Sequence, residues 1–202
     1  MTEAVDMERF RASLERYVQS LFVGESKVLV HGEGVLGARV MLIGEAPGAQ
    51  EALQGRPFVG KAGKNLDAFL EGAGLSRREL FISNVVKFRP TRVSAAGRTV
   101  NRPPTQEEIE LFLPWLKKEI ELVHPECLVT LGNVPLKALL GRSYSIGEAH
   151  GRFHEAEGRR LFAMYHPASV IYNPRLNEVY RADLETLARW LSEEKHTNIT
   201  KN

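Results

Sequence analysis

The chain has almost no cysteine: Cys127 is the single thiol among 202 residues. An internal disulfide is thereby excluded, as is any metal or iron–sulfur site built from cysteines alone. Cys127 sits in the apolar run CLVTL and reads as a buried core thiol. Long apolar stretches are missing too. Nowhere do eighteen apolar residues follow one another, and the opening MTEAVDMERF carries acids where a secretory signal needs an apolar core. The expectation is a cytoplasmic protein with no membrane partner. Charge of one sign is also scarce: the formal net charge is +2, so a surface for an acidic partner has to come from local clustering.

What is present is ordinary in bulk and informative in order. A hydrophobic fraction of 43% beside 26% charged residues excludes a disordered or fibrous chain. The length suits one compact domain, expected over residues 1–202 with a frayed tail at 195–202. Val5, Phe10, Leu14, Val18 and Leu21 form a helical stripe near the start. Four short apolar runs follow: RVMLIG at 39–44, LFISNVV at 80–86, CLVTL at 127–131 and LFAMY at 161–165. Helical patterns separate them. KNLDAFLEGAG ends on glycine, TQEEIELFLPWLKKEIELV opens with Thr105 and Glu108 as a capping box, and a last helix is expected from Leu176 to Glu194.

Strands that are apolar throughout and alternate with helices predict a parallel sheet covered on both faces. The expected fold is therefore α/β: a three-layer α/β/α domain around a central, mostly parallel four-stranded sheet. In such sheets ligands bind beyond the carboxyl ends of the strands. That rule selects GEAPGAQE, the residues from Asn84, GNVP, and HPASVIYNP.

Several side chains in these segments are suited to chemistry. Glu45 is the carboxylate nearest a strand end, and capping a neighbouring helix is its alternative role. Phe58 is either a stacking platform or loop packing. Within the loop, GRPFVGKA falls one residue short of a phosphate-binding loop, and Ala62 lacks the hydroxyl that would hold magnesium. His166 leaves the fourth strand just before Pro167, placed to donate a hydrogen bond to a developing anion. Asn84 offers both a donor and an acceptor, which suits a base edge. From Lys87 to Arg102 there is no acid, while Lys87, Arg89, Arg92, Arg98 and Arg102 supply positive charge; the run is either a solvated face or a phosphate contact.

The ordered motifs GEAPGAQE, GRPFVGKAG, NVVKFRP, NRPPTQEE and YHPA resemble the family 4 uracil-DNA glycosylases over roughly residues 15–192. The resemblance implies a monofunctional enzyme acting on uracil in single- or double-stranded DNA as a monomer, flipping the base out and hydrolysing its bond to deoxyribose. By position, Glu45 and His166 would be catalytic, Glu45 toward water and the cationic sugar and His166 toward the departing uracil anion. Gly44, Ala46, Glu51, Phe58 and Asn84 would bind uracil, with Glu51 crowding the place of a thymine methyl beside Gly48. Lys87, Arg89, Arg98 and Arg102 would meet DNA, and Ser169, Val170, Ile171 and Tyr172 would enter the minor groove, Val170 and Ile171 as apolar wedges.

One departure from that family is large. Its members usually bind a four-iron four-sulfur cluster through four cysteines, and here those positions hold Tyr17, Ser20, Phe88 and Phe112. No cluster, metal or other cofactor is expected, and Tyr17, Phe88 and Phe112 are expected to pack as an aromatic knot in its place. The insertion TRVSAAGRTV is a second departure. A related branch traps DNA through a histidine in a similar insertion, where this chain has Asn101, which is not expected to do so. Two other readings stay open: a glycosylase with shifted preference for other deaminated or mismatched bases, and a non-catalytic module that binds uracil or abasic DNA.

Overall fold

The structure is a computed structural model that describes the backbone of residues 2–199 and the side chains of residues 4–193. Its centre is a parallel array of four strands, β2 (Val40–Gly44), β3 (Phe81–Asn84), β6 (Cys127–Leu131) and β8 (Arg159–Met164), matching the four apolar runs. The sheet itself is larger than the expected four strands. β1 (Glu33–Gly34) and β7 (Phe153–Ala156) add antiparallel edges, giving the order β1-β3-β2-β6-β8-β7. Both edge strands are partly solvated, so neither carries the apolar run by which the inner strands are recognised.

Side chains alternate across this sheet. Met41, Ile43, Phe81, Leu128, Leu161 and Ala163 point into one apolar layer, while Val40, Leu42, Ile82, Val129, Phe162 and Met164 point into the other. The first layer is closed by α1 (Thr2–Leu21), α4 (Gln106–Val123), α5 (Asn133–Leu140) and α6 (Ile146–Ala149). The second is closed by α3 (Lys61–Gly72) and α8 (Leu176–Ile199). Helix α1 buries Met7, Phe10, Leu14 and Val18, while the expected stripe members Val5 and Leu21 lie exposed. The capping box of α4 forms: Thr105 accepts the Glu108 amide N–H, and the Glu108 carboxylate accepts that of Thr105. Helix α8 continues past Glu194 to Ile199, so part of the segment read as a frayed tail is helical; residues 200–202 lie outside the described ones.

The insertion after NVVKFRP folds as a separate hairpin, β4 (Thr91–Val93) paired with β5 (Thr99–Asn101). Gly97, at a φ of 72°, makes its turn possible without the cost a side chain would add. Two short helices follow strands at the carboxyl edge of the sheet, α2 (Ala49–Gln54) after β2 and α7 (Ser169–Tyr172) after β8.

Candidate active site

At the carboxyl ends of β2, β3 and β8 lies a cavity of about 560 Å³. Its wall includes Phe58, Asn84 and His166, from three segments far apart in sequence, together with Ala46, Glu51 and Asn101. The register places Gly44 directly beside Asn84, and the backbone N–H groups of Val85 and Val86 donate to the carbonyls of Gly44 and Glu45. Two strand ends are thereby locked together. A Cβ on Gly44 would come within 2.4 Å of Asn84 Oδ1 and 2.5 Å of the Phe58 ring, so only glycine lets those two side chains close in.

Phe58 is buried at 5% exposure and holds a left-handed φ of 53°. That backbone is unusual for a bulky residue and marks a position fixed by its surroundings. Arg77 supplies part of the restraint, donating to the carbonyls of Pro57 and Phe58. Gly63 lets the loop fold back, because a Cβ there would lie 1.8 Å from the Phe58 carbonyl oxygen. The Phe58 and His166 rings sit 5.9 Å apart, centre to centre.

His166 is held in one useful tautomer. Its Nδ1 accepts the Ala168 backbone N–H at 3.1 Å, so a neutral ring carries its proton on Nε2. Burial drives the imidazole pKa down to about 4, keeping the ring neutral near pH 7. Asn84 is 2% exposed, and its amide makes no side-chain hydrogen bond within the described residues, leaving donor and acceptor for a ligand.

Glu45 is half-buried at the end of β2, and burial raises its carboxyl pKa above the ordinary value. It adjoins the cavity through Ala46 but is not among the residues lining it. Glu51 does line the cavity, yet its carboxylate is already engaged. It accepts the N–H groups of Gly48 at 3.1 Å, Val59 at 3.0 Å and Gly60 at 2.7 Å. The residue expected to crowd a methyl group thus also ties together the two turns that frame the pocket.

The residues expected to contact DNA divide. Lys87 is fully buried and paired with Glu119, which removes it from any phosphate. Arg102 closes a two-pronged pair with Glu108 at 2.7 and 2.6 Å and donates to the Thr91 and Pro103 carbonyls, so it fastens the hairpin base. Arg89 donates to Asn101 Oδ1 at 2.6 Å. Arg98 is exposed, as is Arg92 across the hairpin, and neither forms an ion pair among the described residues. On α7, Val170 is 6% exposed and packs into the core, unlike the free apolar wedge expected of it. Ile171 and Tyr172, 41% and 86% exposed, stand at the cavity mouth, and Ser169 is half-buried beneath them.

Asn101 and Lys61 line the cavity and were missed. The position of Asn101 was singled out only as the match to a trapping histidine, not as a pocket residue; the end of β5 brings it into the same cavity wall as Asn84. Conversely, Asn133 of GNVP is exposed, accepts the Ile146 N–H at 2.9 Å, and is not among the residues lining the cavity.

The sequence model of the Uracil DNA glycosylase superfamily matches residues 31–188. The chain belongs to the uracil DNA glycosylase superfamily. It is 38% identical over 175 residues to the type-4 uracil-DNA glycosylase of Saccharolobus solfataricus, covering 82% of this chain and 77% of that one. It is 39% identical over 168 residues to the type-4 uracil-DNA glycosylase of Pyrobaculum aerophilum, covering 78% and 81%. In fold it resembles the crystal structure of wild-type Pedobacter heparinus SMUG2, with a TM-score of 0.52, 16% identity and coverage of 80% and 76%.

The iron–sulfur cluster implied by the type-4 resemblance does not fit the residues present. Phe88 and Phe112 are buried edge-to-face with ring centres 5.6 Å apart, and neither offers a donor. Ser20 is exposed and donates to the Tyr17 carbonyl. The aromatic knot has a different membership from the expected one. Phe22 packs on Phe88 at 5.4 Å, with the Lys27 ammonium about equally near both rings, whereas Tyr17 packs on Trp115 at 5.1 Å. The sole thiol, Cys127, lies in β6, and burial raises its pKa to about 12, away from thiolate chemistry.

Proposed function

We propose that this protein excises uracil from DNA, hydrolysing the N-glycosidic bond of a flipped deoxyuridine to release uracil and leave an abasic site. The observation that carries the reading is the meeting of Phe58, Asn84 and His166 in one cavity: a ring to stack on a base, an amide to read its edge, and a neutral N–H donor.

The chemistry follows from charge. As the C1′–N1 bond breaks, its electron pair stays on uracil and positive charge develops on the sugar. His166 Nε2–H donates to the uracil carbonyl oxygen that gathers negative charge. It needs no proton loss to do so, and a buried donor is worth far more there than in water. The Glu45 carboxylate stabilises the cationic sugar and orients water; the water oxygen then bonds to C1′ and its proton leaves to the carboxylate or solvent. The departing anion later takes a proton from solvent.

No lysine amine is needed, so the reaction is monofunctional and ends at the abasic site. Arg98 and Arg92 meet phosphate, while Ile171 and Tyr172 fill the vacated stack. Glu51 acts on the base only by bracing the loops. The protein works as a monomer and without an iron–sulfur cluster, since the four positions supply no thiolate.

The test uses single- and double-stranded oligonucleotides carrying uracil, hypoxanthine, xanthine or a thymine mismatch, followed by alkaline cleavage. Scission at uracil is expected, with no borohydride-trapped covalent species. Absence of scission on every uracil substrate would sink the proposal.

A further inference from the structure

Behind the pocket lies a buried polar group with no part in the chemistry above. Ser83, Lys87 and Glu119 are 1%, 0% and 1% exposed. The Lys87 ammonium donates to Ser83 Oγ at 2.6 Å and to Glu119 Oε2 at 2.5 Å, and Ser83 Oγ donates to the same carboxylate oxygen at 2.7 Å. These contacts close a triangle. Two of its corners, Ser83 and Lys87, bracket the segment that starts with Asn84, and the third stands on α4.

A buried ion pair is weak evidence of stability, because desolvation of both charges offsets much of their attraction. Packing alone does not account for it either: apolar residues of similar volume would fill the space. The placement suggests another role. Ser83 and Asn84 are neighbours in a strand, so their side chains project to opposite faces. Ser83 faces α4, and Asn84 faces Phe58 and the cavity. Between the bracketing corners, the Val85 and Val86 amides bind the carbonyls of Gly44 and Glu45. Anything that fixes Ser83 and Lys87 to α4 therefore fixes Asn84 and the start of the Glu45 turn together. The site is crowded as well: a Cβ on Gly32 would meet Glu119 Oε1 at 2.5 Å, and the Val30 N–H caps the Lys87 carbonyl at 2.7 Å.

We propose that the Ser83–Lys87–Glu119 triangle is a positioning device that holds Asn84 and Glu45 in register for excision. This rests on the reading of Asn84 and Glu45 as working residues. Three directional contacts define one geometry where apolar packing would permit several, which is the specificity that a buried polar network can supply.

Two variants test it. The triple variant Ser83→Ala/Lys87→Met/Glu119→Leu makes the corner apolar, and Ser83→Ala alone removes one contact while keeping the ion pair. Single-turnover excision at saturating enzyme is expected to fall roughly tenfold to a hundredfold in the triple variant and severalfold in Ser83→Ala, as reacting groups drift out of line. Affinity for an abasic-site duplex should stay at the wild-type value. Independently of activity, the Val85 and Val86 amides should exchange hydrogen faster in both variants than in the wild type. Wild-type rates and exchange in whichever variant folds would overturn the proposal. A wild-type protein that excises no uracil would instead refute the proposed function, and the exchange comparison would still decide the role of the triangle.

Discussion

Replacing Glu51 separates two roles with opposite consequences. Its carboxylate takes three backbone N–H groups, from Gly48 before α2 and from Val59 and Gly60 ahead of α3. Hydrogen bonds to a charged group contribute about 1.5–3 kcal/mol each, but these three share one carboxylate and are partly reached by water, so they do not sum. For Glu51→Ala a loss of about 2–4 kcal/mol is expected, lowering the melting temperature by roughly 5–15 °C for a chain of this size. Glu51→Gln keeps one oxygen for Val59 and Gly60 but turns an amide toward Gly48, so about 1–2 kcal/mol is expected. Excision of uracil should fall in both, because Phe58 immediately precedes the anchored amides. Thermal melting and single-turnover kinetics measure the two effects. A Glu51→Ala protein within about 0.5 kcal/mol of wild type would refute the brace. If such a variant also gained thymine excision, crowding of the methyl group would be its role instead.

The pH profile gives a second check. Burial raises the Glu45 pKa above 4.5 and lowers that of His166 to about 4. As pH falls, Glu45 is protonated first, so the acid limb of the single-turnover rate should lie above pH 4.5. Glu45→Gln should abolish that limb and lower the plateau by roughly a hundredfold; a limb that persists in Glu45→Gln would contradict the assignment. His166 also makes stability pH-dependent: its lowered pKa means the unfolded chain binds the proton first, so stability should decline from about pH 6.5 toward 4 in chemical denaturation, and less so in His166→Gln. In the aromatic knot, Phe88→Ala should cost about 3–5 kcal/mol in denaturant titration, and iron analysis of anaerobically prepared wild-type protein should find no stoichiometric iron. Arg92→Ala/Arg98→Ala should reduce the slope of log affinity against log salt by roughly 2 on duplex DNA; an unchanged slope would remove the hairpin from the phosphate contact.

The inner strands were legible because each is buried on both faces and so is written as an unbroken apolar run. The edge strands β1 and β7 were not, since a partly solvated strand needs no such run. His166, Asn84 and Phe58 were found by their place at strand ends and by motif, and the cavity brings all three together. Asn101 was named only as the match to a trapping histidine and not as a wall residue, because its place in the wall depends on how an inserted hairpin returns.

Lys87 shows most plainly where local reading stops. In NVVKFRP it stands beside Arg89 and looks like one more cation for phosphate, yet its partner is Glu119, 32 residues away on α4. By itself the sequence determined the parallel core, the strand ends that line the cavity, and the lack of thiolates for a cluster, because each is a property of residue type and order. Only the tertiary structure decided which charges are buried, that Glu51 is spent on backbone amides, and that Val170 faces the core while Tyr172 faces out. Those outcomes depend on which distant groups arrive within hydrogen-bonding distance, and that is settled by packing.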